Sequence, residues 1–328
     1  MSSRPHSVSV SVPARLHLGF LDLNGGLGRL YGSIGVAISG LQTSVTVAPA
    51  ARTQVSGRDS ERARRYVDRL CEALGLRGAY RVHVAEAVPS HAGLGSGTQL
   101  ALALAAGIRR LRGLPLDIRG DAVKLGRGGR SGIGIGLFDS GGVVVDGGRG
   151  PSTAAAPVIG RMPFPEAWRI MLVLDPARAG VHGENESAAF ARLPSFAAAD
   201  SAAICRLVLM QAMPALAEAD LAAFASAIKE MQQILGAYFA PLQGGRAFLS
   251  PDVAAALALL EGEGACGIGQ SSWGPTGFAF APSEAEAQRL VAVARQHPRC
   301  QGLDIRACRG LNRGADIATE AIAAMPDT

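Results

Sequence analysis

Between Pro89 and Gln99 the chain reads Pro-Ser-His-Ala-Gly-Leu-Gly-Ser-Gly-Thr-Gln and runs straight into a leucine- and alanine-rich stretch, Leu100 to Leu111. Glycine at this density permits positive φ and close backbone approach, and a helix that begins there turns unpaired amides and its positive dipole end toward an anion. Gly93, Leu94, Gly95, Ser96, Gly97, Thr98 and Gln99 therefore form a candidate phosphate cradle, to which Ser96 and Thr98 add hydroxyls. His91, two residues ahead of it, is either a proton donor, a phosphate contact or an ordinary loop histidine. Structural turns that feed helices use the same residues, so the segment needs company before it counts as a site.

Three other segments supply it. Ala14 to Arg29 packs Arg15, His17, Asp22, Asn24 and Arg29 between apolar runs. Guanidinium groups grip phosphate or carboxylate bidentately, and Asp22 can accept from sugar hydroxyls or help hold a divalent cation. Arg127 and Arg130 flank glycines ahead of an apolar glycine-rich run and offer further phosphate contacts. Gly267 to Gly277 carries Gln270, Ser271, Ser272, Trp273 and Thr276, hydrogen-bonding groups beside an indole whose face suits a planar aromatic ligand. His182-Gly-Glu-Asn-Glu186 offers two carboxylates at a helix start, where capping is the default explanation and a catalytic or Mg²⁺-binding role the alternative.

These groups need scaffolding, and the hydrophobic periodicity supplies it. Alternation predicts strands over Ser7–Val12, Gly35–Val47 and Tyr80–Ala87, with a glycine-rich loop joining the first two. A 3.6-residue period predicts helices over Ser60–Leu74 and Leu116–Leu125, and Arg127–Gly148 reads as glycine-punctuated strands. The small, polar run Gly147–Pro165 reads as a linker, which places a domain boundary near residue 160: one domain over 1–160, a second over 161–328. Beyond it, strands are expected at Trp168–Leu174, within Ala265–Phe280 and at Leu303–Cys308. Helices are expected at Glu184–Leu193, Ala199–Met213, Asp220–Phe239, Pro251–Leu260 and Ser283–Gln296. The fold class is α+β.

Composition narrows the function. At 328 residues with 48% hydrophobic and 18% charged residues, the chain is that of a folded protein of about two domains. Its formal charge of +5 comes from dispersed arginines, without the basic runs and interleaved aromatics of a nucleic-acid binder, and suits an anionic small substrate. Five cysteines at irregular spacing fit reduced thiols and a cytoplasmic setting. Neither a signal peptide nor a bilayer-spanning run is expected, and no internal repeat argues for a scaffold.

Together the segments resemble those of the GHMP kinase superfamily, which implies a ribosomal-protein-S5-like N-terminal domain and a ferredoxin-like C-terminal domain. Pro89–Gln99 is similar to the kinase phosphate loop, and Arg130-Ser-Gly-Ile-Gly134 to Gly142 is similar to the segment carrying the kinase's catalytic aspartate. That aspartate falls on Gly134, which leaves Asp139 as the nearest substitute base and makes an ATP-dependent small-molecule kinase the second reading. The full set of motifs, with Val145-Asp-Gly-Gly and Gly269-Gln-Ser-Ser-Trp-Gly-Pro-Thr276, resembles the beta-ribofuranosylaminobenzene 5'-phosphate synthase family, a non-kinase branch. The resemblance implies a pentosyltransferase that joins phosphoribosyl diphosphate to 4-aminobenzoate or 4-hydroxybenzoate with loss of CO₂ and diphosphate, early in tetrahydromethanopterin biosynthesis. It further implies Mg²⁺ or another divalent cation, and a homodimer. Arg15, His17, Asp22 and Arg29 become the expected catalytic set. His91 and Gly93–Gln99 become the diphosphate site, and Arg130 contacts phosphate or the benzoate carboxylate. Gln270, Ser271, Ser272, Trp273 and Thr276 line the aryl side.

Overall fold

The computed structural model describes residues 7–178, 180 and 192–320. The helix expected over Glu184–Leu193 lies almost wholly outside these residues, as do His182, Glu184 and Glu186. The first sheet has seven strands. β1 (Ser7–Asp22) pairs with β2 (Tyr31–Ala50), which pairs in turn with β4 (Ala79–Glu86) and β5 (Val143–Asp146). β3 (Gln54–Gly57) lies parallel to β4, β6 (Val158–Met162) pairs with β5, and the last strand, β11 (Asp316–Glu320), returns to pair with β1. The second sheet has the order β10 (Asp304–Arg309), β7 (Arg169–Leu174), β9 (Gly277–Ala281), β8 (Cys266–Gln270), all antiparallel.

β1 is much longer than the alternation at Ser7–Val12 suggests, because its second half is buried on both faces and loses the period of two. Val8, Val10 and Val12 enter a core with α1 (Ser60–Ala73) and α2 (Ser96–Leu111). Past a register shift at Pro13/Ala14, Leu16, Leu18 and Phe20 enter a second core. That core is shared with α5 (Ala198–Leu207), α6 (Met213–Glu218) and α7 (Leu221–Phe239). A π-turn, Val208–Ala212, links α5 to α6. One strand thus threads both cores, and its odd-numbered Arg15 and His17 arrive at the seam between them. α8 (Pro251–Gly262) and α9 (Glu284–Gln296) cover the other face of the second sheet.

The run Ile133–Ser140, expected as strand, is helix α4, which follows the short α3 (Ile118–Lys124). Its alternating glycines mimic a strand pattern, but they serve close packing: a Cβ on Gly136 would sit 2.8 Å from Val144 Cγ1. The stretch expected as linker contains the edge strand β6. Helix α2 is buried nearly all round, as its unbroken apolar sequence requires. Arg109 near its C-terminus is 6% exposed and pairs with Asp121 of α3, 1% exposed, through two hydrogen bonds. Asp121→Ala would leave this guanidinium buried without its main partner. The expected cost is about 3 kcal/mol of unfolding free energy, read from urea denaturation midpoints.

Candidate functional site

The phosphate loop and the loop after β8 cross at van der Waals contact. Gly93 has φ 79°, and a Cβ there would stand 2.2 Å from the Ser271 carbonyl oxygen; a Cβ on Gly274 would stand 2.3 Å from the Ala92 carbonyl oxygen. No other residue fits at either position. Ser271, fully buried, fastens the crossing: its hydroxyl donates to the Gly93 carbonyl (2.8 Å) and accepts from the His17 amide (3.0 Å). Arg15 adds bonds from its amide to the Leu94 carbonyl (3.1 Å) and from Nη1 to the Gly93 carbonyl (3.3 Å). β1, the start of α2 and the second sheet are thereby joined at one point.

A cavity of about 390 Å³ opens over the start of α2, and a second of about 430 Å³ adjoins it. Arg15, Thr98, Arg127 and Ser272 line both. Arg62 and His91 belong to the first; His17, Phe20, Arg130 and Arg149 belong to the second. Among the described residues neither lining includes an Asp or Glu, and the arginines there favour anions. Gly97 carries a steric role beyond turn formation. A Cβ there would overlap Arg127 Nη2 at 1.9 Å, so glycine lets that guanidinium lie against the helix's first turn. Arg127 is held there by Tyr66, whose hydroxyl accepts from Nη2 at 2.6 Å and whose ring lies 5.6 Å below the guanidinium carbon. α2 begins at Gly95 (φ 77°) with no side-chain cap, which leaves its first amides to the cavity.

The expected site residues divide accordingly. His91, Gly93, Leu94, Gly95, Ser96, Gly97, Thr98, Arg15, His17, Arg130 and Ser272 line the two cavities, as does Trp273 through its loop. The Trp273 side chain is only 5% exposed and packs edge-on to Phe239 at 4.9 Å, so it anchors the loop rather than offering an open stacking face. Gln270 and Thr276 are buried parts of the same loop. The Gln270 side chain is bonded to Gln243, Leu249 and Ser272, and the Thr276 carbonyl accepts from the Ser271 amide. Gln99, in the first turn of α2, is fully buried. Asp22 lines neither cavity: its Oδ1 accepts from the amides of Asn24 (2.7 Å) and Gly25 (3.1 Å) and from the Ser201 hydroxyl (2.8 Å). Arg29 is exposed behind the turn that presents Arg149, donating to the carbonyls of Gly147 and Gly148 at 2.8 Å each.

Three contributors were not singled out from sequence. Arg62 reads as the polar face of an amphipathic helix, yet it reaches the Ser96 and Ser90 hydroxyls at the cavity edge. Arg149 sits in the presumed linker. Asp146, signalled only by its place in Val-Asp-Gly-Gly, is fully buried and accepts from the Gly132 and Gly148 amides and the Ser131 hydroxyl, fixing the turns that carry Arg130 and Arg149. Burial pushes its carboxyl above the usual range against the pull of these bonds.

Gly134, where the resemblance to the kinases implies an aspartate, faces the start of α2: a Cβ there would lie 3.0 Å from Thr98 Cγ2. Asp139 lies exposed at the far end of α4 and lines neither cavity, so the geometry provides no replacement base from that helix. The described residues contain no cluster of three His, Cys, Asp or Glu able to hold a metal ion, and no helix among them is long and apolar enough to cross a membrane.

Comparison with known proteins agrees with this architecture. Residues 61–142 match the GHMP kinases N terminal domain and residues 212–300 the GHMP kinases C terminal domain. Homoserine kinase from Cytophaga hutchinsonii superposes with a TM-score of 0.68 at 16% identity, covering 97% of this chain and 99% of its own. Mevalonate diphosphate decarboxylase from Staphylococcus aureus gives 0.69 at 16% identity, over 95% and 98%. The fold is that of the GHMP kinases. Sequence relatives are more specific: the beta-ribofuranosylphenol 5'-phosphate synthase of Archaeoglobus fulgidus is 35% identical over 93% of this chain and 97% of its own length. That of Methanothermobacter thermautotrophicus is 32% identical over 81% and 86%. The chain belongs to the beta-ribofuranosylphenol 5'-phosphate synthase family, a family of pentosyltransferase-type enzymes.

Two outcomes follow from this geometry. Gly93→Ala meets both a left-handed backbone and the Ser271 carbonyl; it is expected to cost at least about 2 kcal/mol of stability and to weaken anion binding, measured by denaturation and calorimetry. His17 is 2% exposed, and burial, then the Arg15 charge, hold its pKa well below the ordinary 6.5. The unfolded chain takes up this proton below pH 6.5 while the folded one does not, so folding stability falls as pH drops from 6.5 toward the folded value. The slope is about 1.4 kcal/mol per pH unit. Denaturation of His17→Leu at pH 7.5 and 5.5 is expected to lack that component.

Proposed function

We propose that the protein is a decarboxylating C-ribosyltransferase that joins phosphoribosyl diphosphate to a 4-substituted benzoate, releasing CO₂ and diphosphate. The observation that carries this reading is the pair of arginine-lined cavities sharing a wall at Arg15, Thr98, Arg127 and Ser272. Phosphoribosyl diphosphate is anionic at both ends of a neutral sugar, and two adjoining anion sites suit it. The diphosphate belongs at the start of α2, with Arg15, Arg62 and Arg127; the 5'-phosphate belongs with Arg130 and Arg149. The sugar then spans the shared wall. The relatives' name specifies a ribofuranosylphenol, which favours 4-hydroxybenzoate over 4-aminobenzoate as the acceptor.

The chemistry asked of the protein is electrostatic. As the anomeric carbon–oxygen bond breaks, negative charge builds on the departing diphosphate, where helix amides and guanidinium groups already point. The acceptor ring attacks the oxocarbenium-like carbon through the carbon bearing its carboxylate, and loss of CO₂ restores aromaticity. Mg²⁺ would neutralise part of the diphosphate charge when bound. Asp22, which the sequence offers to the ribose or to a divalent cation, has Oδ1 committed to turn amides and the Ser201 hydroxyl, and among the described residues the cavity walls hold no carboxylate. Among those residues Arg15, Arg62, Arg127 and the helix amides are the groups placed to stabilise the leaving diphosphate.

The decisive assay supplies phosphoribosyl diphosphate and carboxyl-labelled 4-hydroxybenzoate. Labelled CO₂ and diphosphate are expected in equal amounts, whereas ADP formation from ATP without CO₂ would establish the kinase reading instead. Arg127→Ala, which removes a guanidinium from both cavities, is expected to raise the KM for phosphoribosyl diphosphate about 10- to 100-fold, the cost of one charged hydrogen-bonding partner. A KM within twofold of the parent's would remove Arg127 from the site.

A further inference from the structure

A narrow cleft shares His17, Phe20 and Ser272 with the second cavity and is further lined by Gln232, Phe239 and Gln270. Its free volume, about 20 Å³, admits one water-sized group and no more. The amide side chains in its wall are committed. Gln232 donates to the Leu18 and Gln270 carbonyls and accepts from the Gln270 amide. Gln243 donates to the Arg246 and Ala247 carbonyls and accepts from Gln270, whose own carbonyl oxygen accepts from the Leu249 amide. His17 differs. It is 2% exposed, its ring sits 4.6 Å from that of Phe20 at a tilt of 59°, and neither Nδ1 nor Nε2 has a hydrogen-bond partner among the described residues. A buried imidazole left in this state costs stability unless something docks against it.

We infer that the cleft is the subsite for the acceptor's 4-substituent, and that His17 takes the proton of a 4-hydroxyl as the ring attacks. This rests on the ribosyl-transfer reading above and assigns the acceptor's orientation within it. The ring lies in the second cavity, its hydroxyl entering the cleft and its carboxylate-bearing carbon facing the anomeric centre near the shared wall. Burial and the Arg15 charge keep the imidazole neutral, so one ring nitrogen is an acceptor. The step balances without further reagents. The O–H pair becomes the C=O bond of a cyclohexadienone as its proton passes to His17. A ring π pair forms the new C–C bond, and the anomeric C–O pair leaves with diphosphate. The carboxylate C–C pair then returns to the ring as CO₂ departs, and the phenolate oxygen recovers the proton from His17. A cleft this small takes a hydroxyl or amino group and rejects bulkier 4-substituents.

The test compares the parent with His17→Gln and His17→Leu at saturating phosphoribosyl diphosphate, using 4-hydroxybenzoate and its 3,5-difluoro analogue, whose hydroxyl is far more acidic. Calorimetric binding of phosphoribosyl diphosphate shows whether each variant keeps its fold. With 4-hydroxybenzoate both variants are expected to lose at least about 100-fold in kcat with the KM for phosphoribosyl diphosphate unchanged. With the difluoro acceptor, which needs no base, the loss is expected to shrink to less than tenfold. A kcat within threefold of the parent's, or an equal loss with both acceptors, would mean that the cleft holds only an ordered water and that His17 supports structure alone. No product from the parent with either acceptor would instead bring down the ribosyl-transfer reading, and this inference with it.

Discussion

The backbone crossing at Gly93 and Gly274 is the constraint on which the site depends. Two loops from different sheets approach so closely that neither position tolerates a β-carbon, and the buried Ser271 hydroxyl ties the crossing to β1 through the His17 amide. A hydroxyl that both donates and accepts while fully buried is well satisfied, and it fixes three chain segments with one side chain. Since β1 runs through both hydrophobic cores, whatever holds it at Arg15 and His17 also sets the distance between the start of α2 and the second sheet. The cavities exist because that distance is fixed.

Among the described residues, charge is arranged around this point with no Asp or Glu in the cavity walls, and Arg62 at the edge pairs with Asp59. Arg127 lies against the first turn of α2 because residue 97 is glycine, and Arg15 is fastened to the loop it serves. Such placement keeps guanidinium groups where an anion would sit, so binding needs little reorganisation of the protein. Asp146 contributes from behind: its buried carboxylate gathers the amides of two turns and directs Arg130 and Arg149 outward. The fold is that of the GHMP kinases, and the position where the resemblance implies their catalytic aspartate holds a glycine packed against Thr98. A glycine cannot serve as the base on which phosphoryl transfer to an alcohol depends.

Much of this was legible in the sequence where one residue type has one physical use. The glycine loop before α2, Arg15, Arg130 and Ser272 could be placed because glycine turns and guanidiniums are conspicuous among apolar strands. The strands and helices with clean periods, such as α1 and β7, were equally plain. Two kinds of residue were not. Ile133–Ser140 alternates like a strand but folds as a helix, since its glycines answer to close packing that only the tertiary structure reveals. Arg62 carries no local mark that separates a cavity residue from a solvated helix face. Asp22, Arg29 and Gln270 stand out in the sequence because polar groups crowd their segments; in the fold Asp22 and Arg29 bond to turns and Gln270 to the loop after β8. Such burial and partnership depend on contacts distant in sequence.

The central claim is that two adjoining cavities hold one doubly anionic sugar. Calorimetric titration with phosphoribosyl diphosphate, ribose 5-phosphate, inorganic diphosphate and ATP tests it most directly. If both cavities are filled by one molecule, the intact substrate is expected to bind at least 100-fold more tightly than either fragment, because the second contact is made at high effective concentration, and ATP is expected to bind weakly. Diphosphate alone binding as tightly as the intact sugar diphosphate, or ATP binding more tightly than both, would contradict the account.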